Sequence, residues 1–218
     1  MLNKTLQILL LIVTTQTANA ATIAFDNAIS GATSFSFDGD GDSINDVIFS
    51  TTDPSGFNTA GPGPNQSYIN EPGLEGTTSL NPDLRVDFLN GAVNTFQFGF
   101  AMLLGTGLVD GVTFNVFDAS NLLLATTNVL SDFTLPNGTN PSSFPEGLVS
   151  LSFSGIASYA TFDFSQNQAP RYIIDNFQGT FGSTENITPS VPEPSVLFLM
   201  VIGFAGIRIA SKRGNNLR

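Results

Sequence analysis

The 218-residue chain contains no cysteine, no histidine and no tryptophan. Without cysteine it can form no disulfide, thiolate nucleophile or iron–sulfur site. Without histidine it lacks the side chain that most often acts as a general base near neutral pH and most often binds zinc or copper. A Ser-His-Asp triad cannot be built from its residues. Positive charge is scarce as well: seven Lys and Arg stand against eighteen Asp and Glu. Five of the seven, Lys4, Arg208, Lys212, Arg213 and Arg218, lie at the two ends. Between Ala21 and Pro189 only Arg85 and Arg171 oppose seventeen acidic residues, a net charge of −15. Such a body repels the phosphates of nucleic acid, and it attracts cations, Ca²⁺ foremost outside the cell.

What the chain has in quantity is phenylalanine, twenty residues of it. Gly, Asn, Ser, Thr and Pro fill the segments between the apolar ones. Alternation at period two, the mark of a half-buried strand, recurs along the body. Phe96, Phe98 and Phe100 share a face, as do Val112, Phe114 and Val116, then Val149, Leu151 and Phe153, then Ala160, Phe162 and Phe164. Thr22 to Phe25, Thr33 to Phe37, Val47 to Thr51, Leu84 to Phe88, Leu122 to Thr126 and Tyr172 to Phe177 read as further strands. Roughly ten short strands and no helical period predict an all-β domain over residues 21–183, an antiparallel two-sheet β-sandwich of jelly-roll type. Two stretches read as long loops: Asp53 to Glu75, with Gly61-Pro62-Gly63-Pro64, and Leu135 to Pro145, with Asn137-Gly138.

One segment carries a recognisable chemistry. Asp38-Gly39-Asp40-Gly41-Asp42-Ser43-Ile44-Asn45-Asp46 sets Asp at positions 1, 3, 5 and 9 of a tight loop. Alternate acidic side chains converge on one point, and hard oxygen ligands suit Ca²⁺ at about 2.3–2.6 Å. The Ile44 carbonyl falls at position 7, where loops of this kind use the backbone. The spacing resembles the Asp-rich loops of integrin-type propeller repeats and thrombospondin-type repeats. Ser43 stands where Gly is usual, and Phe49 at position 12 offers no carboxylate, so a second loop, around Asp26 or Asp175, would have to close the site. A structural Ca²⁺ tying the Phe37 strand to the Val47 strand is the expectation, because four carboxylates within nine residues repel unless a cation neutralises them. The alternative is a polar Asp-Gly turn joining two strands.

Other candidates are plainer. Arg85 and Asp87, two apart on one strand, would pair, and Arg171 would pair with an acidic neighbour. Arg171-Tyr172-Ile173-Ile174-Asp175-Asn176-Phe177 reads as a closing core strand with one polar face. Glu71 and Glu75 could supply the two carboxylates of a glycoside hydrolase; both fall in the Gly/Pro-rich stretch read as a loop.

The two ends mirror each other. Lys4, the apolar run Ile8 to Val13 and Ala18-Asn19-Ala20 have the order of a secretory signal peptide over residues 1–20. Residues 184–194 form a polar linker closing on Pro192-Glu193-Pro194. An apolar helix over residues 195–210 follows. Its stretch from Val196 to Ala210 has 15 residues and spans about 22 Å as a helix, short of a hydrocarbon core of about 30 Å. Arg208 would snorkel to the headgroups, with Lys212 and Arg213 beyond it in a basic tail over 211–218, an arrangement that sets the tail in the cytoplasm and the body outside.

Tripeptide, apolar run and basic end together resemble the PEP-CTERM sorting signal of Gram-negative bacteria. The resemblance covers Val191 to Arg218 plus the expected leader. It implies export, transient anchoring in the inner membrane, recognition of Pro192, Glu193 and Pro194 by a membrane protease-transpeptidase of the exosortase type, and residence at the cell surface or in a matrix rich in extracellular polysaccharide. The expectation is therefore an exported, Ca²⁺-stabilised, non-catalytic surface protein. The competing expectations are a carbohydrate-binding module, poorly served by three Tyr and no Trp, and a carboxylate-based glycoside hydrolase.

Overall fold

A computed structural model describes residues 19–39, 43–61, 66–70, 72–104, 110–132, 144–165 and 169–182. Most of the expected leader lies outside the described residues. So do Asp40, Asp42 and Glu71, and so do the linker, Pro192, Glu193, Pro194, the apolar run and its flank of Arg208, Lys212 and Arg213.

Among the described residues there is no helix. The strands are β1 (Asn19–Ile23), β2 (Ser34–Phe37), β3 (Val47–Ser50), β4 (Leu74–Thr77), β5 (Leu84–Met102), β6 (Gly111–Phe117), β7 (Leu123–Leu130), β8 (Glu146–Ser152), β9 (Ala157–Phe164) and β10 (Arg171–Phe181). Every pairing is antiparallel, and the hydrogen-bonded ladder is continuous through all ten. Alternating apolar residues produce most of these strands where the sequence predicts them, β4 and the length of β5 being the exceptions.

The strand β5 is where expectation and structure part. Leu84 to Phe88 and Phe96 to Phe100 read as separate strands, yet they are two halves of one nineteen-residue strand. Its first half pairs with β3 and β9, its second with β8 and β10. Between them the ladder shifts register after Asp87, and Gly91 and Asn94 take φ of 76° and 72°. Left-handed residues of this kind let a strand turn a corner and pass from one layer to another. The order β2-β3-β5-β9-β6-β7 thus lies on one side of the corner. On the other lies β8-β5-β10, with β4 and β1 end to end along the free side of β10.

The faces that meet are aromatic. From the first layer come Phe49, Phe88, Phe114 and Phe162, and from the second Phe96, Phe98 and Phe177, all buried. Phe98 meets Phe114 edge to face at 5.0 Å, and Phe177 meets Phe49 edge to face at 5.2 Å. Offset and T-shaped pairs of this sort add about 0.5–1.5 kcal/mol each beyond the area they bury. Phe177 reaches the core through a bulge. Tyr172 and Ile174 point inward, the register breaks between Asp175 and Gln178, Asn176 takes φ 53°, and the inward parity passes to Phe177 and Phe181. A strictly alternating strand would have turned Phe177 to the outside.

Two smaller differences concern boundaries. β4 falls at the end of the stretch expected to be a loop, and Glu75 sits on that strand rather than in a Gly/Pro-rich loop. β1 begins at Asn19, paired with Phe181, two residues before the expected cleavage point after Ala20.

Phe177→Ala is expected to destabilise the domain by about 3–5 kcal/mol in urea denaturation. The same truncation at the half-buried Phe35 should cost clearly less.

Candidate functional site

The acidic loop joins β2 to β3, whose ends are held by the Phe37–Val47 pair. Asp38 accepts a hydrogen bond from the Ser43 N–H at 2.8 Å. Ser43 has φ 71°, the left-handed conformation for which Gly is the usual residue at this position. Asp46 is buried; one carboxylate oxygen accepts the Gly39 N–H at 2.7 Å, the other the Asn90 side-chain amide at 3.1 Å. The Asp46 backbone also donates to Phe37 and accepts from Leu89. Asp46 therefore fastens the loop to the β5 corner, and each oxygen keeps a lone pair. Ile44 is largely exposed. No group of three or more acidic side chains placed to hold a metal occurs among the described residues, which exclude Asp40 and Asp42.

Five further carboxylates among the described residues are buried, Glu75, Asp83, Asp110, Glu146 and Asp175, and the four that bind distant segments were not legible as a set. Glu146 accepts the Ser67 and Tyr68 N–H groups at 2.7 and 2.8 Å, one on each oxygen. Asp175 accepts the Asn70 N–H at 2.8 Å, and its neighbour Asn176 donates its side-chain amide to the Tyr68 carbonyl at 3.2 Å. Together they fasten residues 66–70 across the outer face of the sheet, over Gly99, where a Cβ would stand 2.1 Å from the Tyr68 carbonyl oxygen. An isolated Gly inside an otherwise aromatic strand is the sequence sign of such a close approach. Asp83 accepts the Leu80 and Phe164 N–H groups at 3.0 and 2.7 Å.

The fourth, Glu75, forms an ion pair with the Arg171 Nε at 2.7 Å and accepts the Asn58 side-chain amide at 2.8 Å. Arg85 pairs with Asp87 at 2.6 Å and lies over the Tyr159 ring at 3.9 Å. Both arginines of the body are thus engaged as the sequence suggested.

Arg171 of this pair stands at the wall of an open cleft with a volume of about 500 Å³. Its walls are the Ser30-Gly31 turn, the turn from Asp53 to Asn58, and the ends of β4 and β10 at Thr77 and Arg171. A smaller cleft of about 250 Å³ lies on the outer sheet face among Thr22, Thr95, Gln97, Gln178 and Thr180. Those residues are uncharged and form a cross-strand row, Thr22 beside Gln178, Gln178 beside Gln97 and Gln97 beside Ser150.

No family model and no curated protein matches the chain. Among solved structures, the K3 cleaved adhesin domain of Lys-gingipain from Porphyromonas gingivalis aligns at 17% identity and a TM-score of 0.40, over 75% of this chain and 100% of that one. The CBM22-1 xylan-binding domain of Xyn10C from Paenibacillus barcinonensis aligns at 11% identity and a TM-score of 0.36, over 78% and 98%. A family 29 carbohydrate-binding module aligns at 13% identity and a TM-score of 0.36, over 79% and 98%. At such distances they define neither fold, ligand nor activity for this chain.

Burial raises the pKa of Asp83 to about 6, against the two backbone hydrogen bonds that lower it. Burial likewise pushes up Glu75, with Arg171 pulling the other way, and Asp175, with the Asn70 N–H opposing. A carboxyl raised on folding binds more protons in the folded than in the unfolded state between its two pKa values, so stability falls as pH rises through that window. For Asp83 the window runs from about 4 to about 6, and its share is about 2–3 kcal/mol. The domain is therefore expected to melt at a higher temperature at pH 5 than at pH 7.5, and Asp83→Asn should flatten that difference.

Proposed function

We propose that the chain is a non-catalytic surface or matrix protein. Its β-domain would be exported by the N-terminal leader, held at the inner membrane by the apolar run, and sorted at Pro192, Glu193 and Pro194 by an exosortase-type enzyme. The observation that supports the non-catalytic reading is the direction of the buried carboxylates. Asp83, Glu146 and Asp175 accept backbone N–H groups, Asp46 a backbone N–H and a side-chain amide, and Glu75 an arginine and an asparagine amide. A glycosidase needs a carboxyl presented to the substrate with a pKa set for proton transfer; each of these spends at least one oxygen on holding a loop or strand. The strand order around the β5 corner, β1-β10-β5-β8 facing β5-β9-β6-β7, favours the jelly-roll form of sandwich, with β2–β3 added at one edge.

In this reading a structural Ca²⁺ is held by Asp38, Asp40, Asp42, Asp46 and the Ile44 carbonyl. The left-handed Ser43 supports it, since it turns the loop as a Gly at that position would. A second reading, polysaccharide binding, is favoured by the polar cleft beside Arg171.

Mass spectrometry of the protein recovered from its host should find a mature N-terminus near Ala21 and a C-terminus altered at or after Pro192. Full-length protein in the cytoplasm with both ends intact would refute sorting. Ca²⁺ at about a hundred times its dissociation constant should stabilise the domain by about 2.7 kcal/mol, a rise of roughly 5–10 °C in melting temperature. Asp40→Ala with Asp42→Ala should abolish the rise, and indifference to EDTA would exclude the ion.

A further inference from the structure

We infer that the Arg171 cleft is a binding site for one unit of a neutral glycan, gripped through a pair of adjacent hydroxyls; this rests on the polysaccharide-binding reading above. The cleft is pre-built. Asn58 and Glu75 exchange two backbone hydrogen bonds of 2.9 Å each, and the Asn58 amide steadies the Glu75 carboxylate. Glu75 in turn holds Arg171 by its Nε, at 2.7 Å. The contact is an ion pair at Nε, and the terminal N–H groups of the guanidinium, which lie in one plane with it, have no partner among the described residues. The Arg171 side chain remains 40% exposed, while that of Glu75 is 9% exposed.

Asp53 belongs to another wall of the same cleft. One of its oxygens accepts the Ser55 N–H at 2.8 Å, which fixes the side chain. The other has no partner among the described residues. The site therefore offers a planar set of donors on one wall and an acceptor on another, with the Ser30 and Ser55 hydroxyls beside them. A hydroxyl both donates and accepts. Two on neighbouring carbons present both a lone pair for a guanidinium and a proton for a carboxylate.

The remaining features narrow the class. Asp53 and Glu75 outweigh Arg171, and the body as a whole is strongly acidic, so a phosphate, sulfate or uronate is repelled. Phe57, the aromatic of the lining, is buried and shows no ring face, so an apolar ligand finds nothing to cover. A ligand polar on all sides and without charge fits what is left. The volume lies within the roughly 300–1,000 Å³ of small-molecule sites. With hydrogen bonds alone and no stacking platform, weak binding is expected, with a dissociation constant of about 0.1–1 mM.

The test is titration calorimetry of the full chain in detergent against neutral gluco-, manno-, galacto- and xylo-oligosaccharides and against a cationic glucosamine oligosaccharide. Ser30→Trp fills the cleft from its exposed rim, and Asp53→Ala removes the acceptor. Thr95→Trp blocks the smaller cleft on the outer sheet face instead. At least one glycan should bind, with affinity lowered tenfold or more by Ser30→Trp and by Asp53→Ala while Thr95→Trp leaves it unchanged and all three melt like the parent. Binding that survives Ser30→Trp and is lost in Thr95→Trp overturns the site and leaves the polysaccharide reading standing. Binding confined to cationic amino sugars overturns the neutral-diol assignment. Binding to none of these glycans overturns both the site and the reading behind it.

Discussion

Everything in the described domain depends on one strand serving two layers. β5 supplies Leu84, Val86 and Phe88 to one inner face and Phe96, Phe98 and Phe100 to the other, and it turns between them at Gly91 and Asn94. No covalent cross-link is available to a chain without cysteine. The layers are held by this shared backbone and by the aromatic contacts it brings into range, with Phe177 at their centre. Phe177 makes ring contacts with Phe49, Phe88, Phe96, Phe98, Phe114, Phe162 and Phe181. A core of large flat side chains gives much buried area for few residues, which suits short strands.

The acidic residues answer a second constraint. Long connections that cross an outer sheet face leave backbone N–H groups that water cannot fully reach, and these must find acceptors. Glu146 and Asp175 supply them for residues 66–70, and Asp83 serves the Leu80 turn and the end of β9. The same arrangement raises the pKa of Asp83 and Asp175, because a carboxylate sheltered enough to hold a loop is also partly stripped of solvent. Raised carboxyls often mark active sites. Here their partners are amides of the chain itself, and the shift is the cost of fastening loops. Arg171 differs: its partner Glu75 is buried, while the guanidinium faces an open cleft.

Most strands were legible because each alternation is local. Val112-Phe114-Val116 and Ala160-Phe162-Phe164 announce their faces without reference to anything distant, and the structure buries all six. The unity of β5 was hidden because Asn90-Gly91 is the dipeptide of a tight hairpin; here the pair bends the strand and the chain runs on. β4 was hidden because Leu-Glu-Gly-Thr is short, and its Gly76 is required by the Tyr172 hydroxyl opposite rather than by a turn. The carboxylate clamps were hidden for another reason: Glu146 and Ser67 are 79 residues apart, and Asp175 and Asn70 are 105 apart. Nothing in a local pattern records a contact of that range. The two arginine pairs were foreseen because so few cations face so many anions.

The last strand among the described residues is not at an edge. β10 lies between β5 on one side and β1 and β4 on the other, and it carries Phe177 into the centre. A chain delivered from its N-terminus onward therefore has a gap through the middle of one layer until residue 181 arrives. Before that moment β1 and β4 have no neighbour to zip against, and the aromatic faces cannot seal. The order of strands thus leaves the closing of this layer to the part of the domain that is made last.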